Sequence, residues 1–217
     1  MKAGKEYRKL TGRVVIATHN PGKLKEMQEL LSPYGIEAQS AGELGLPVPV
    51  ENGFMFSQNA MIKAKAAAEA TALPALSDDS GLCIDVLDGA PGLFSADWAG
   101  DKKDFALAMN LVRNELEKRG LEADETIRAH FVSALVLYWP DGHSELFEGR
   151  IFGHIVWPPR GERGFGYDSI FQPDGHEKTF GELSSEEKHG IDYSKKEPEA
   201  LSHRARAFLA LAKHCLP

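Results

Sequence analysis

The segment that most constrains the fold lies near the start of the chain, where an apolar run leads directly into a polar loop and a helical pattern. Residues 14–17 are mostly β-branched, which is typical of a strand buried on both faces. Asn20 is a favoured N-cap residue, and Pro21 suits the first helical position because the N–H that it lacks would have no partner there. Apolar residues then recur at helical spacing, at Leu24, Met27, Leu30 and Leu31. The chain is therefore predicted to begin strand, loop, helix.

The rest of the chain continues this mixed pattern. We predict a second helix from about Gln58 or Asn59 to residue 70, a third at 104–119 and a last one at 202–215. Residues 129–138 and 144–151 flank a Pro-Asp-Gly turn signal and are predicted to form an antiparallel hairpin. We expect an α/β fold, with an elongated mixed β-sheet flanked by helices and two lobes around a central cleft.

Length, charge and cysteine content narrow the class of protein. A chain of 217 residues can form one large domain or two small lobes, and we expect a single domain over residues 1–217. The formal net charge of −7 argues against general nucleic-acid binding, though it leaves room for a small anionic ligand in a local basic pocket. Cys83 and Cys215 are not expected to form a structural disulfide, and residues 1–11 have no apolar signal segment. No run approaches the roughly 18 apolar residues of a membrane helix, so we expect a soluble, cytoplasmic protein.

Two adjacent acids, Asp78 and Asp79, form the strongest chemical signal. They stand between two serines, and Gly81 follows, so we expect them in a tight bend at the edge of a core. Neighbouring carboxylates repel each other, which either raises the pKa of one of them or attracts a hard cation. Taken alone, an adjacent Asp-Asp pair is more typical of a surface turn than of a functional site.

The loop between the first strand and the first helix is a candidate anion site. Free N–H groups and the positive end of a helix attract phosphate, and Lys23 adds a full charge in the first turn. Thr18 and Asn20 can donate hydrogen bonds to phosphate oxygens. An ordinary capped helix would have the same residues, so this interpretation needs support from elsewhere in the chain.

Four further segments carry candidate ligand-binding residues. In residues 164–168, Phe165 or Tyr167 can offer a ring face to a flat ligand, and Asp168 can hold the loop by accepting from backbone N–H groups. Lys188 and the start of the last helix supply basic side chains, although basic residues at helix starts are often surface charges. Glu51 is a candidate second carboxylate for a metal, in a turn before the second helix.

Six ordered motifs between residue 14 and the last helix resemble the Ham1/RdgB-type inosine triphosphate pyrophosphatases. They are Ala17-Thr18-His19-Asn20-Pro21-Gly22-Lys23, Phe56-Ser57-Gln58-Asn59-Ala60 followed by Lys63-Ala64, Ser77-Asp78-Asp79-Ser80-Gly81-Leu82, Gly89-Ala90-Pro91-Gly92, Phe165-Gly166-Tyr167-Asp168 and Ser202-His203-Arg204. Two residues depart from the family pattern, namely His19, where Asn or Gly is common, and Gln58, where Glu is usual. The segment from Gly190 to Leu201 also looks longer than the family's spacer.

The resemblance implies a Mg²⁺-dependent homodimeric enzyme that hydrolyses the non-canonical purine nucleotides ITP, dITP and XTP to the monophosphate and pyrophosphate. Asp79 matches the catalytic proton acceptor and a metal ligand, and Glu51 matches the other metal carboxylate. The matching substrate contacts are Thr18, His19, Asn20, Pro21, Gly22 and Lys23 for the phosphates, Ser80, the base-pocket residues Phe165, Gly166, Tyr167 and Asp168, and Lys188, His203 and Arg204. We expect Asp78 to brace the bend or to lie behind the metal ligands, rather than to react.

Two alternatives remain open at this stage. One is a Maf-type pyrophosphatase acting on modified pyrimidine or methylated nucleotides, and the other is a nucleotide-binding sensor without turnover. The presence of both Asp79 and Glu51 argues against the sensor. A role in binding nucleic acid is weaker still, because the chain is acidic.

Overall fold

The computed structural model describes residues 6–121, 126–192, 194–196 and 198–217. In chain order the elements are β1 Arg13–Ile16, α1 Pro21–Leu31, β2 Glu37–Ser40, α2 Phe56–Thr71, β3 Ala75–Ile84, α3 Phe105–Lys118, β4 Ile127–Tyr138, β5 Ser144–Ile155, β6 Phe171–Pro173, α4 Ser185–His189, β7 Ile191–Asp192, β8 Glu199–Ala200 and α5 His203–Cys215. Six of the strands form one sheet in the order β2-β1-β3-β4-β5-β6, and β7 pairs with β8.

The sheet is mixed. Strand β1 is parallel to β2 and to β3, with Val15 opposite Ala75 and Ile16 opposite Leu76. Strand β6 is antiparallel to β5. A connection as short as residues 139–143 can join only antiparallel neighbours, which agrees with the hairpin predicted for β4 and β5.

The first helix begins as the sequence predicts. The Asn20 side chain caps α1 by accepting from the N–H groups of Gly22 and Lys23, and Pro21 occupies the first helical position. Both effects are local, because the Asn20 cap and Pro21 act within the first turn of the helix. The structure therefore confirms the predicted strand, loop and helix.

The chain divides into two compact units. The first comprises Met1–Asp79, Ala134–Glu148 and Arg204–Pro217, and the second comprises Ser80–Ser133 and Gly149–His203. In the first unit the buried alanines of α2 pack closely, as its small residues predict: Ala60 and Ala64 contact Ala134 and Val136. The core of the second unit includes aromatic side chains of β4, β6 and the segment after β6, namely Phe131, Phe171 and Phe180.

The predicted bend around the two acids is wrong. Residues from Ala75 to Ile84 form one continuous strand, β3, and Gly81 has no positive φ angle. Strand β3 lies between β1 and β4 in the sheet, and hydrogen bonds to both neighbours keep its backbone extended. The acids therefore stand within a central strand rather than in a turn.

Three smaller features complete the fold. Both cysteines are buried as free thiols, as expected. The long segment before α5 forms the antiparallel pair β7 and β8, with Ile191 opposite Ala200. Of the helices that the structure describes, none combines the length and apolarity that a membrane crossing requires.

Candidate active site

Strand β3 separates the two neighbouring acids. Successive side chains of a strand point to opposite faces, so Asp78 and Asp79 have different closest partners although they are adjacent in sequence. Both residues are nevertheless buried, each less than a tenth exposed when backbone and side chain are taken together. Buried carboxylates need ion pairs or hydrogen bonds, and each of the two has its own.

Asp79 shares a lysine with Glu51. The ammonium of Lys63, from α2, lies 2.8 Å from Asp79 Oδ1 and 2.8 Å from Glu51 Oε2. Burial raises the pKa of Asp79 above its ordinary value, against the lowering effect of Lys63 and Lys23. Burial alone would lower the pKa of Lys63, but Asp79 and Glu51 outweigh it and raise that pKa. A buried carboxylate with a raised pKa is suited to act as a general base.

Asp78 belongs to a second ion network, which links α1, β3 and α5 within the first unit. Its Oδ2 lies 2.9 Å from Lys23 Nζ and 3.0 Å from Nη2 of Arg204. The other terminal nitrogen of Arg204, Nη1, donates to Glu26. Burial alone would lower the pKa of Arg204, but the charges of Asp78 and Glu26 raise it. The bend that Asp78 was expected to brace is absent, and this carboxylate pairs with Lys23 and Arg204.

The motif suggests that Arg204 contacts a ligand, but in the structure its side chain contacts other residues of the protein. Its side chain is only 2% exposed, and its guanidinium contacts two carboxylates of the protein. A contact between Arg204 and a nucleotide therefore stays a prediction, while its internal pairing is what the structure shows. Sequence reasoning missed Glu26, although its position three residues after Lys23 places the two on neighbouring parts of the α1 surface.

In the loop before α1, side chains of the loop itself accept hydrogen bonds from its backbone N–H groups. The N–H groups of Gly22 and Lys23 donate to Asn20 Oδ1 at 2.9 and 3.2 Å, and the N–H of Asn20 donates to Thr18 Oγ1. His19 Nε2 lies 2.8 Å from the carbonyl oxygen of Leu46. The prediction of free N–H groups at this helix start is therefore wrong for these three amides. The full positive charge of Lys23, rather than free amides, is the feature that can attract a phosphate here.

In the second unit, the loop around Gly164 is held by a buried ion pair. Asp168 Oδ2 accepts from the N–H of Phe165 at 3.0 Å and lies 2.7 Å from Lys188 Nζ. This confirms that Asp168 holds the loop through a backbone N–H. Gly164 has a φ of +76°, and a Cβ built on it would lie 2.0 Å from the same carboxylate oxygen. The close approach of the loop to Asp168 therefore requires glycine at this position.

The aromatic residues of this loop divide into one core residue and one half-buried residue. Tyr167 is 2% exposed, its hydroxyl donates to the carbonyl oxygen of Ser95, and its ring packs edge-on against Phe105. Its ring is thus part of the core and does not offer a free face. Phe165 and Gly166 are half-buried, and Phe165 remains the candidate for contact with a base.

The other predicted residues of the second unit are also well packed. His203 is buried and stacks on Phe131, with ring centroids 4.9 Å apart. Lys188 lies over the ring of Phe180, 5.6 Å from its centroid. Ser80 is half-buried on β3. The structure leaves the substrate roles of all these residues as predictions.

The carboxylates around Lys63 fit a magnesium ion. Glu51 and Asp79 converge on one cation, and carboxylate oxygens are the ligands that Mg²⁺ prefers. Among the described residues there is no group of three or more His, Cys, Asp or Glu side chains that could hold a metal. The donor set matches a cation that keeps several waters and takes its remaining ligands from substrate phosphates, as Mg²⁺ commonly does.

Comparison with known proteins decides the family. The model of the Ham1 family matches residues 14–214, nearly the whole chain. The chain belongs to the Ham1 family. The resemblance read from the six motifs is thereby confirmed.

Relatives and solved structures agree with this assignment. The chain is 60% identical over 213 residues to a protein of Rhodopseudomonas palustris named dITP/XTP pyrophosphatase, covering 97% of this chain and 99% of that one. A protein of the same name from Zymomonas mobilis is 54% identical, with 94% of this chain and 92% of that one covered. The structure of a Ham1 protein from Coxiella burnetii superposes with a TM-score of 0.77 at 37% identity, covering 94% of this chain and 98% of that one. The Staphylococcus aureus Ham1 protein gives 0.76 at 31% identity, with 93% and 96% covered. These matches confirm the α/β fold.

Proposed function

We propose that this chain is a nucleoside triphosphate pyrophosphatase that hydrolyses the non-canonical purine nucleotides dITP, XTP and ITP to the monophosphate and pyrophosphate. The observation that carries the proposal is the near full-length identity of 54–60% to relatives named dITP/XTP pyrophosphatase. The buried acid–lysine cluster around Asp79 supports it, because hydrolysis of a phosphoanhydride needs a base for the attacking water.

In the proposed reaction, Asp79 activates the attacking water. A water attacks the α-phosphorus, the bond from that phosphorus to the bridging oxygen breaks, and pyrophosphate leaves. Asp79 accepts the proton of the water, a role favoured by the raised pKa of its buried carboxyl. The ammonium of Lys23, 2.9 Å from Asp78, can stabilise negative charge on the phosphates.

We propose Mg²⁺ as the cofactor, held by Glu51 and Asp79. When bound there, it would supply positive charge that offsets the charge of the phosphate oxygens and of the departing pyrophosphate. Removal of metal with EDTA should abolish pyrophosphate release, and added Mg²⁺ should restore it. Activity that persists in EDTA after exhaustive dialysis would contradict this assignment.

Recognition of the base is proposed for the second unit. Phe165 supplies a half-buried ring, and the pair of Lys188 and Asp168 fixes the loop that carries it. Hydrogen-bond donors aimed at a 6-oxo group would reject adenine, whose amino group leaves them unpaired. The homodimer implied by the family resemblance and the cytoplasmic location expected from the sequence are also proposed here. The two buried free thiols support a reducing compartment, and light scattering on the purified protein tests the dimer.

A pyrophosphate-release assay tests the function. We expect release from dITP, XTP and ITP, with the monophosphate as the second product, and much slower turnover of ATP, GTP, CTP and UTP. Turnover restricted to UTP or methylated nucleotides would favour the Maf-type alternative. Tight binding of dITP without release would favour the sensor.

Replacement of the proposed base tests the mechanism. Asp79→Asn removes the proton acceptor and one metal ligand, and loss of a general base typically costs about 10²–10⁴-fold in rate. The exposed Asp101→Asn is a matched control that changes the same amount of charge and should keep wild-type turnover. If Asp79→Asn releases pyrophosphate from dITP at a near wild-type rate, Asp79 is not the base.

A further inference from the structure

Lys63 stands at the centre of the two carboxylates assigned to the metal. Its ammonium lies 2.8 Å from an oxygen of Glu51 and 2.8 Å from an oxygen of Asp79. Its side chain is 12% exposed, that of Asp79 is 13% exposed and that of Glu51 is 32% exposed, so water screens this cluster only in part. The contact is thus a partly buried ion triad rather than a surface ion pair.

The backbone around Lys63 is fixed in place. Ala60, one turn before Lys63, is buried, and its carbonyl oxygen accepts from Ser77 Oγ of β3 at 2.5 Å. The N–H of Gly53 donates to Asn59 Oδ1 at 2.8 Å, which ties the coil that carries Glu51 to the first turn of α2. Helix, coil and strand therefore hold the ammonium and the two carboxylates at short range without help from a ligand.

A metal ion held by Glu51 and Asp79 needs the same two oxygens that Lys63 contacts. The protein chain holds the Lys63 ammonium beside these oxygens, so its effective concentration there is high. A metal ion has to bind from solution and displace it. With Lys63 present the triad carries a net charge of about −1, and without Lys63 it would carry about −2. Each added negative charge strengthens the attraction for a divalent cation.

We infer that Lys63 is a built-in counter-ion for the metal carboxylates, which keeps the affinity of the nucleotide-free protein for divalent metal low. This inference rests on the proposed function, because it takes Glu51 and Asp79 as the metal ligands. Metal then binds chiefly together with the nucleotide, whose phosphates add the oxygens and negative charge that outweigh the lysine. Lys63 is thus a positioning residue for Glu51 and Asp79 in the metal-free protein. The metal replaces its contacts with the two carboxylates.

The inference predicts a gain of affinity when Lys63 is removed. Lys63→Met keeps a chain of similar length and deletes the charge, so it should lower the Kd for metal by roughly tenfold or more. A substitution that merely damaged the site would weaken metal binding instead. The direction of the change therefore separates the two explanations.

Mn²⁺, whose unbound form is counted directly by electron paramagnetic resonance, serves as the probe and is titrated into protein without nucleotide. Lys65→Met is the matched control, because Lys65 lies on the same helix in an exposed i,i+4 pair with Glu69, 3.8 Å apart. We expect Lys63→Met to bind Mn²⁺ more tightly, and Lys65→Met and Lys63→Arg to match the wild type. Adding Asp79→Asn to Lys63→Met should abolish the gain.

Two results would overturn the inference. One is a Kd for Lys63→Met equal to or weaker than that of the wild type, in protein whose circular dichroism is unchanged. The other is a gain that survives Asp79→Asn. If Lys63→Met does not fold, Lys63→Gln is titrated in its place and judged in the same way. Turnover of dITP by the wild type, measured in parallel, reports on the proposed function separately, so failure of one is distinguishable from failure of the other.

Discussion

Replacing Arg204 with methionine should strongly destabilise the fold. The guanidinium is buried, and its loss leaves Glu26 and Asp78 without the cation that joins them, although Lys23 still contacts Asp78. Removing one partner of a buried ion pair typically costs about 3–5 kcal/mol, because the remaining charge is left in a poorly solvated place. Domains are stable by only about 5–15 kcal/mol in total, so this change should remove a large share of the free energy of unfolding.

Urea unfolding at pH 7.5, followed by circular dichroism, measures this loss as a shift of the midpoint at constant slope. The matched control is Arg128→Met. Arg128 pairs with Asp174 through two short contacts of 2.6 and 2.8 Å, a geometry as good as that of Arg204, but its side chain is 45% exposed. An exposed pair contributes about 0–1 kcal/mol, so the control should lose little.

Comparing Arg204→Met with Arg128→Met tests whether burial of the ion pair causes the loss of stability. If Arg204→Met loses no more stability than Arg128→Met, the argument from desolvation is wrong. A variant of wild-type stability with impaired turnover of dITP would instead favour the substrate contact that the Ser202-His203-Arg204 motif suggests.

Two further predictions concern the second unit. Gly164→Ala should lower the free energy of unfolding by about 1–2 kcal/mol because of its positive φ, and by more because of the clash with Asp168. Gly175→Ala is the control, because Gly175 has a φ of +79° and open space where the Cβ would lie, so only the backbone cost applies. Equal urea midpoints for the two variants would contradict the clash. Burial raises the pKa of Cys83 to about 11, so about one thiol in a thousand is ionised at pH 8 and iodoacetamide should react slowly with the native protein. The rate should rise as the pH approaches 11, because the thiolate is the reactive form, and unfolding in urea should expose both thiols at pH 8; fast alkylation of Cys83 in the native state at pH 8 would refute this.

Local sequence was sufficient for the elements whose signals act within a few residues. The cap of α1 depends on Asn20 and Pro21, which act inside one turn, and the structure has both as predicted. The buried alanines of α2 and the hairpin of β4 and β5 also follow from local periodicity and turn residues. The motifs identified the family for the same reason, since each is a short run read directly from the chain.

The partners of the charged side chains were decided only by the tertiary structure. The sequence around Asp78 and Asp79 is typical of a turn, but the sheet draws it into strand β3 and directs the two acids to opposite faces. Arg204 then meets Asp78 across 126 residues and Glu26 across 178, and no local pattern encodes such distances. Lys63 was visible in a motif, yet only folding shows that it joins Glu51 to Asp79. The sequence by itself determined the family, the helices and the candidate acids, and the packed fold determined which charge neutralises which, because a buried charge is stable only beside a partner that long-range packing brings to it.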